Sequence, residues 1–459
     1  MLTLNLNPII FIGHRAFDGA SIASVMPVTK IYSCDSSDVA DALRRSHGID
    51  VTVLESVSQV RERWTSSHID FILTRVFDQI SSSRMPVNIL PYAATHLTDK
   101  LRNEISVSNL FCVPASLRRL LDDKRHAKEI FYRLGLPTLK ALISEMSRPS
   151  IAAAASEFGY PLVVRPPTGS TGSNIYKITS DKSTIERACQ GARSAGLSES
   201  WILEPFVEGF SLNVNAVATS GGCVIYAPSV QLIGIPQCTD VDFGFCGNDF
   251  FAAERIIDAN VRLECERQTT VIGEYLISLG YRGLFGIDYI VAIDGNVYAC
   301  EINPRLQNST ALLNFMMAPT APNLSPAQLH VECFALDSLT TNSRQITPTA
   351  LLSQVIVYHS APAPSINRGS VVEGRYKVSA NGTCILTART FNPQDIQENE
   401  ILVAESISSP GMRILPGAPL FKLLAKRSVL SSEGTTLADW VPPVIDDLKR
   451  LLFDGSRSG

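Results

Sequence analysis

The sequence predicts a multidomain protein that combines an α/β unit with α+β units. Its 459 residues exceed the size of one compact domain and suggest roughly three units. In the first 113 residues, short apolar runs alternate with helical patterns, which is typical of a parallel sheet covered on both faces. The sequence between residues 160 and 303, and the tail after residue 349, are instead rich in strand and turn patterns.

The composition is that of an ordinary globular enzyme, with 45% hydrophobic and 18% charged residues. The net charge of −4 gives no basic footprint, so we expect no nucleic-acid partner. No apolar run approaches the roughly 18 residues of a membrane span, and the N-terminus does not resemble a signal peptide. We therefore expect a cytoplasmic protein without a membrane partner. The ten cysteines form no CxxC pair, which favours free thiols.

In the N-terminal unit, the apolar runs predict buried strands and the intervening segments predict helices. The turn after the first strand lacks GxGxxG, so we interpret it as a structural turn rather than a nucleotide loop. The isolated histidines, such as His14 and His330, show no partner pattern and are interpreted as structural. The predicted strands cover 8–13, 29–33, 51–54 and 71–74, and the predicted helices cover 37–46 and 57–66.

Three further elements follow along the chain. Residues 116–135 predict one helix, because Gly135 and then Pro137 provide the usual stop signals. A small α+β unit is predicted over 160–211. In the tail, strands are predicted within 351–360 and 383–391, and a last helix near 443–453.

A hairpin signal lies in GLFGIDYIVAIDGNVYACEINPR, residues 283–305. The dipeptide Asp294-Gly295 between two apolar runs predicts a two-residue type I′ turn. Counting back from such a turn places Asp288 directly opposite Glu301. Asn303 follows two residues later and therefore points to the same face. Two carboxylates and an amide oxygen are thus expected at one end of this hairpin.

These side chains suggest a metal site. Facing carboxylates repel each other, and their burial without a partner is costly. Magnesium, held through carboxylates and nucleotide phosphates, fits this set of oxygen ligands, with manganese as an alternative. A solvated hairpin end is the plainer interpretation, although opposed acidic residues argue against it. Arg305, just beyond the strand, could neutralise charge on a transferred phosphoryl group or an acyl-phosphate oxygen.

A second hairpin, YPLVVRPPTGSTGSNIYKI at 160–178, could bind phosphate. Gly169 and Gly172 allow a close backbone approach, so that successive N–H groups can surround an anion. Arg165 ends the first strand and could reach a phosphate with two hydrogen bonds. A flexible surface hairpin would have the same sequence features, and the loop is not of the Walker A type. A third segment, WILEPFVEGFSLNVNAV at 201–217, could hold adenine or could be any edge strand.

These three segments, in this order, resemble the ATP-grasp superfamily over about residues 116–310. The resemblance implies an ATP-grasp fold with an N-terminal Rossmann-like α/β domain, a central lid that closes on ATP, and a C-terminal part carrying the metal. The implied units are 1–113, an ATP-grasp core at 114–345 with a lid at about 160–208, and a C-terminal extension at 346–459.

The resemblance also implies roles for individual residues. Lys124 matches the first nucleotide-binding lysine, and Arg165 stands at the position of the second, where it would be catalytic as well. Asp288, Glu301 and Asn303 match the magnesium ligands, and Arg305 matches the catalytic arginine. Thr168, Gly169, Ser170, Thr171, Gly172 and Ser173 match the loop that covers the phosphates.

The remaining implied contacts surround the nucleoside. Glu204 matches the acceptor for the adenine amino group, and Phe206 and Val207 match the hinge that binds the ring through its backbone. Ser211 stands where a ribose-binding glutamate is common, and Asn213 is a substitute for that contact. The implied cofactors are ATP and Mg²⁺, or Mn²⁺.

Enzymes of this superfamily form an acyl phosphate, release ADP, and join the acyl group to a nucleophile. The segments PSVQLIG and FGFCGNDF are similar to the peptide-ligase branch, which couples amino acids or small acids. Small-molecule carboxylate and amine substrates are therefore expected, and a homodimer would be common for the family.

Two other functions compete with this hypothesis. Arg305 and Gln307 resemble the NxRxQ ending of biotin-type carboxylases, but the acidic residue of that family would fall near Ser309. A non-catalytic nucleotide-binding protein or a kinase could use the same fold. Binding alone would not require Asp288, Glu301, Asn303 and Arg305 together, which favours a ligase.

Overall fold

The computed structural model describes residues 9–34, 38–54, 66–81, 87–104, 107–169, 172, 174–195, 200–335, 344–369, 371–405 and 410–454. Among these residues, no helix combines the length and the apolar character needed to cross a membrane.

The N-terminal unit contains a five-stranded parallel sheet in the order β3-β2-β1-β4-β5. Helices connect the strands, as in a doubly wound fold whose strand order reverses beside β1. The elements are β1 (Ile9–Ile12), α1 (Ala16–Ala23), β2 (Val28–Ser33), α2 (Asp38–His47), β3 (Asp50–Val53), α3 (Ser66–Ser81), β4 (Val87–Pro91), α4 (His96–Glu104) and β5 (Val107–Leu110).

The sequence predicts the first three strands and α2 correctly, but the strand expected at 71–74 is wrong. That apolar run lies inside α3, where Ile69, Leu73, Val76 and Ile80 are buried at helical spacing. A short apolar run of this length fits either a strand or a helix. The burial pattern over the longer segment repeats at helical spacing, which decides in favour of the helix. The strands β4 and β5, which complete the sheet, were not predicted. Most of the helix expected at 57–66 lies outside the described residues.

The single helix expected at 116–135 is also wrong, because two helices occupy this segment. They are α5 (Ala115–Asp122) and α6 (Lys124–Arg133). Asp123 between them has an extended backbone, and its side chain accepts a hydrogen bond from the Arg125 N–H, which caps α6. The break places Lys124 on the first turn of α6. Gly135 has a φ of 65°, as the stop signal predicts.

A small unit with its own sheet follows. Its antiparallel strands have the order β6-β9-β7-β8, and its core packs around Trp201. The sheet starts at residue 142, before the lid boundary expected at 160. The elements are β6 (Leu142–Ser144), α7 (Arg148–Phe158), β7 (Leu162–Arg165), β8 (Tyr176–Ile178), α8 (Lys182–Ser194) and β9 (Trp201–Pro205).

The next elements, up to the start of the tail, build most of a large mixed sheet. The strands β14 and β15 form the hairpin predicted at 283–305, here called the metal hairpin. They lie at one edge of the sheet, and β10 pairs with β14. The elements are β10 (Gly209–Thr219), β11 (Gly222–Tyr226), β12 (Ser229–Ile233), β13 (Phe245–Asp249), α9 (Phe250–Ile256), α10 (Ala259–Ser278), β14 (Gly283–Ala292), β15 (Val297–Asn303), α11 (Asn308–Met317), α12 (Pro326–Ala335) and β16 (Arg344–Ile346).

Most strands of the tail continue this sheet, whereas the two short strands at Ser365–Ile366 and Arg413–Ile414 pair with each other. Twelve strands are joined, with the main order β15-β14-β10-β12-β13-β17-β23-β21-β19-β20, and β13 pairs directly with β17. The strands and the last helix expected in the tail are confirmed. The elements are β17 (Ser353–Tyr358), β18 (Ser365–Ile366), β19 (Gly374–Val378), β20 (Cys384–Ala388), β21 (Glu400–Ala404), β22 (Arg413–Ile414), β23 (Pro419–Ala425) and α13 (Val441–Asp454).

A buried charge cluster joins the N-terminal unit to the tail. Arg15 forms ion pairs with Asp18 at 2.8 Å and with Glu405 at 3.5 Å. Lys422 pairs with Glu405 at 2.6 Å, and all four side chains are at most 3% exposed. Removal of one partner from such a group leaves an uncompensated buried charge, which is strongly destabilising. The cluster therefore holds the turn after β1 against β23.

Candidate active site

The strands β14 and β15 bring Asp288 directly opposite Glu301, as the sequence predicts. The turn differs from the predicted one. The Gly295 N–H donates to the Ala292 carbonyl at 2.9 Å and Gly295 has a φ of 84°, so a left-handed glycine follows a wider turn. Pairs near this turn are shifted by one residue, and an irregularity just after the Asp288 pair restores the predicted register.

The two carboxylates lie within a dense network of amide groups. The Asn303 amide donates to Asp288 at 3.2 Å and to Glu301 at 3.4 Å. The Asn213 amide donates to Asp288 at 2.6 Å. Burial and the neighbouring Glu301 raise the pKa of Asp288 to about 8. Burial opposes ionisation of Glu301 too, but Lys124, a hydrogen bond from Asp288 and Arg165 lower its pKa to about 2.

This pair fits a divalent cation. Without a cation, the raised pKa favours the protonated form of Asp288, because ionisation would place a second negative charge beside Glu301. A bound cation would remove this penalty. Within the described parts of the chain, no three His, Cys, Asp or Glu side chains form a metal cluster. Two carboxylates and the Asn303 side-chain oxygen would therefore leave coordination positions open, as Mg²⁺ requires when it also binds phosphates.

Lys124 links the carboxylate pair to the glycine-rich hairpin predicted at 160–178, here called the phosphate hairpin. Its Nζ lies 3.2 Å from Glu301 Oε2 and donates to the Gly169 carbonyl at 3.0 Å. Its backbone N–H donates to the Pro167 carbonyl at 2.8 Å. The first turn of α6, the glycine loop and the metal hairpin thus meet at one side chain, which is buried.

A buried ion-pair triad lies behind this point. Glu204 pairs with Arg165 at 2.8 Å and with Lys128 at 2.7 Å, and Lys128 also donates to the Leu139 carbonyl at 2.7 Å. Arg165 contacts the Cys300 carbonyl at 3.3 Å. Lys128 was missed in the sequence. Its position four residues after Lys124, on the same face of a helix, is the signal that could have identified it.

Phe206 and Val207, predicted to bind the adenine ring through their backbone, follow β9 directly, and Asn213 lies in β10. The Phe206 N–H donates to the Pro161 carbonyl at 2.9 Å, so this donor is already used within the protein. Asn213 donates to Asp288 and to Gln307, the latter at 2.8 Å, and accepts from Ser309 at 2.5 Å. Asn213 therefore holds the Asp288 carboxylate in place, and the ribose contact expected for it stays a prediction.

Arg305 lies beside Asp288 and Glu301, the two carboxylates called the metal pair below, and it is half-buried. It donates to the Asn303 side-chain oxygen at 2.9 Å and to the Leu306 carbonyl at 3.1 Å. Although burial opposes the charge, Tyr92, Asp122 and the two carboxylates raise its pKa, so the guanidinium stays charged. Arg118, which pairs with Asp122 at 2.7 Å, lines the same space and was not predicted.

One cavity of about 920 Å³ joins these groups. Every predicted site residue that the structure describes lines it, whereas Ser170, Thr171 and Ser173 lie outside the described residues. The predicted residues that line the cavity are Lys124, Arg165, Thr168, Gly169, Gly172, Glu204, Phe206, Val207, Ser211, Asn213, Asp288, Glu301, Asn303 and Arg305.

The N-terminal unit and the tail also reach this cavity. His14 and Arg15 follow β1, and Tyr92 and Ala93 follow β4, at the carboxyl ends of neighbouring parallel strands. Ligands of doubly wound sheets bind at this position, where the strand order reverses. The turn after β1, interpreted above as structural, is therefore part of the site. Recognition of the strand β4 in the sequence would have indicated that the turn after β1 lies at the site.

The phosphate hairpin is packed against a loop of the large sheet. A methyl group at Gly172 would lie 1.8 Å from the Phe243 carbonyl oxygen, so only glycine allows this approach. Arg187 of α8 pairs with Asp242 of the same loop at 2.8 Å. These contacts hold the small unit over the cavity.

Comparison with known proteins agrees with this geometry. Residues 122–309 match the model of a protein family described as an ATP-grasp domain. A formate-dependent phosphoribosylglycinamide formyltransferase of Corynebacterium efficiens is 23% identical over 347 residues, which cover 75% of this chain and 78% of that protein. The arginine-specific large chain of carbamoyl phosphate synthase of Geobacillus stearothermophilus is 23% identical over 197 residues. The chain spans only 17% of the length of that synthase.

Solved structures share the fold. The biotin carboxylase domain of Hydrogenobacter thermophilus 2-oxoglutarate carboxylase, in complex with MgADP and bicarbonate, has a TM-score of 0.62 and 15% identity over 91% of this chain and 85% of that chain. Carboxyaminoimidazole ribonucleotide synthase of Aspergillus clavatus, complexed with ATP, has a TM-score of 0.56 and 14% identity over 97% and 99%. The chain thus shares the multidomain α/β fold of these proteins, and its residues 122–309 are similar to an ATP-grasp domain.

Proposed function

We propose that the protein is an ATP-dependent carboxylate–amine ligase that works through an acyl phosphate and releases ADP and phosphate. The observation that carries this proposal is the facing pair Asp288 and Glu301, with the cations Lys124, Arg165 and Arg305 around it in one cavity. Binding alone would not require acidic and basic groups to be buried together at such cost.

The nucleotide would lie between the small unit and the large sheet. Phe206 and Val207 line the end of the cavity where the adenine would pack, and Lys124 and Arg165, which also line it, would face the triphosphate. Asp288, Glu301 and Asn303 would hold Mg²⁺, which supplies charge neutralisation at the phosphates. In this arrangement the γ-phosphate would lie beside Arg305.

The reaction then proceeds in two displacements. A substrate carboxylate oxygen attacks the γ-phosphorus, and the bond between that phosphorus and the bridging oxygen breaks, which releases ADP. The amine nitrogen next attacks the acyl carbon, phosphate leaves with the bonding electrons, and the amine loses a proton. Arg305 stabilises the negative charge that develops on the transferred group. The small unit must exclude water, which would otherwise hydrolyse the acyl phosphate.

The substrates are a small-molecule acid and an amine, and the sequence similarity to the peptide-ligase branch favours amino acids. The formyltransferase relatives, whose name includes formate dependence, support activation of a small acid. A carboxylase is the second candidate. Ser309 stands where that family would place an acidic residue, and its hydroxyl is engaged by Asn213 and Asn215, which favours the ligase.

The products of the reaction test this proposal. The purified protein with MgATP, an acid and an amine should release ADP and phosphate, in amounts equal to the amide formed. Omission of either substrate should reduce ADP release to background. Formation of AMP and pyrophosphate, or ADP release that needs only bicarbonate and an acceptor, would contradict the proposal.

We expect the Gly172→Ala variant to lose closure of the small unit over ATP. The added methyl group overlaps the Phe243 carbonyl, which cannot move without disturbing its loop. The value of kcat/KM for ATP should fall about 30-fold, which corresponds to about 2 kcal/mol. Gly135→Ala is the matched control, because Gly135 has a φ of 65° but no atom within 4 Å of the added methyl group. Equal losses in both variants would assign the effect to backbone strain alone.

A further inference from the structure

The cavity has a charged centre with an apolar region on each side. The adenine region includes Phe206 and Val207, next to the small unit. The other apolar region, the distal wall, lies beyond the metal pair on the large sheet. The distal wall consists of Ile233, Phe245, Ile356, Tyr358, Pro419 and Leu430. Since one nucleotide occupies only one apolar region, the distal wall is available to a different ligand.

Strand register places the distal wall on the same face of the sheet as the metal pair. Asp288 pairs with Asn213, and Asn213 pairs with Ser229 of β12. Ile233 lies four residues after Ser229, so it points to the same face, and it pairs with Phe245.

The same pairing continues into the tail. Asn248 of β13 pairs with Gln354 of β17, and Ile356 and Tyr358 follow at two-residue steps. The strand β12 lies two positions from β14 and β17 lies four positions from it. The strand β23, which carries Pro419, lies five positions from β14. At the usual strand spacing, the strands of the distal wall therefore lie about 10 Å to about 24 Å from the strand of Asp288. A substrate with its reacting group at the metal pair can reach it.

The residues of the distal wall are held in place by packing and by hydrogen bonds. Ile233, Phe245 and Pro419 are half-buried, so part of each side chain faces the cavity. Ile356 and Tyr358, each 6% exposed, and Leu430, 2% exposed, pack closely against the protein and support this surface. The buried Asp249 carboxylate accepts the N–H groups of Val429 and Leu430, at 2.8 and 3.0 Å, which holds the tail segment in place. Removal of the Asp249 carboxylate would leave the buried N–H groups of Val429 and Leu430 without an acceptor.

Two carboxylates of the cavity lining that lie outside its charged centre form ion pairs within the protein. Asp242 pairs with Arg187, and Glu405 pairs with Lys422 and Arg15. These carboxylates therefore offer little attraction for a further charged group. The distal wall differs in this respect from the centre of the cavity, where cations and carboxylates surround the transferring phosphate. The distal wall is therefore suited to an apolar group of a ligand.

We propose that the distal wall binds an apolar side chain, of aromatic or branched aliphatic size, on one of the two substrates. This inference rests on the proposed function, which places the reacting groups at the metal pair. The ligase would thus select its substrate through residues of β12, β13 and the tail, on the opposite side of the charged centre from adenine.

Calorimetric titration of the full chain, saturated with ADP and Mg²⁺, tests this proposal without turnover. Two pairs of probes separate the two substrates, with 3-phenylpropionate against propionate for the acid and phenethylamine against ethylamine for the amine. In one pair, we expect the phenyl compound to bind at least about 30-fold more tightly, since burial of several carbons gives discrimination of this order.

Two variants and a control locate the effect. Phe245→Ser and Ile233→Ser, at half-buried positions, should each reduce the preference about tenfold or more while ADP affinity stays within twofold. Leu263→Ser, on the exposed face of α10 with the side chain 63% exposed, should keep the preference. Equal binding within both probe pairs, or a preference that survives both wall variants, would overturn the inference. Failure of the proposed function has a different signature, the absence of amide-coupled ADP release.

Discussion

Replacement of Glu301 by glutamine is expected to reduce kcat by about 1,000-fold, which corresponds to roughly 4 kcal/mol of lost transition-state stabilisation. The substitution removes one of the two facing carboxylates and hence most of the negative charge that attracts a divalent cation. Asp288 alone, with Asn303, would bind the cation weakly. Lys124 loses its ion-pair partner as well, but it retains the hydrogen bond to the Gly169 carbonyl.

The measurement is kcat as a function of Mg²⁺ concentration, together with calorimetric titration of MgADP. The Glu301→Gln variant should require a much higher Mg²⁺ concentration, and its circular dichroism spectrum should match that of the wild type. Glu157→Gln, an exposed glutamate on α7, is the matched control and should have normal activity. A folded Glu301→Gln protein with full activity at low Mg²⁺ would refute the metal assignment.

Loss of the Arg305 guanidinium should affect the chemical step more than nucleotide binding. For Arg305→Met, we expect kcat to fall by about 100- to 1,000-fold, the range measured when a preorganised donor to a developing charge is removed. ATP affinity should change less than about threefold, because Lys124 and Arg165 remain to bind the phosphates. The difference between the two effects is the sign of an interaction that is strongest in the transition state.

Single-turnover kinetics and equilibrium binding of ATP separate these two effects. Arg193→Met, at an exposed position of α8, controls for removal of one positive charge from the protein. If Arg305→Met lost ATP affinity but kept a normal rate at saturation, Arg305 would be a binding residue, and its proposed role in the chemical step would be wrong.

Parts of the site that depend on local chemistry were predictable from the sequence. The pairing of Asp288 with Glu301 was predicted from alternation along two strands and from a nearby turn, and it is correct because a bulge compensates for the one-residue shift at that turn. The bulge that restores the register left no clear signal in the sequence. The run at 71–74 shows the limit of such local evidence, since its helical identity depends on a longer pattern of burial.

Contacts between distant segments were decided by tertiary structure. Glu204 was assigned to adenine by resemblance, but its ion pairs with Arg165 and Lys128 appear only once α6 packs beneath the small unit. The participation of Arg15 and Tyr92 depends on the adjacency of β1 and β4, which requires the order of strands in the sheet.

Local patterns in the sequence predicted the class of fold, the facing carboxylates of β14 and β15, the glycine-rich hairpin and the order of these elements along the chain. These features rest on residue periodicity and turn chemistry, which act over a few residues. Tertiary structure alone decided that the tail extends the large sheet and that Tyr358 shares a cavity with Asp288. The physical reason is that strand pairing and hydrophobic burial join residues far apart in the chain, and no local pattern specifies which distant strand becomes the neighbour.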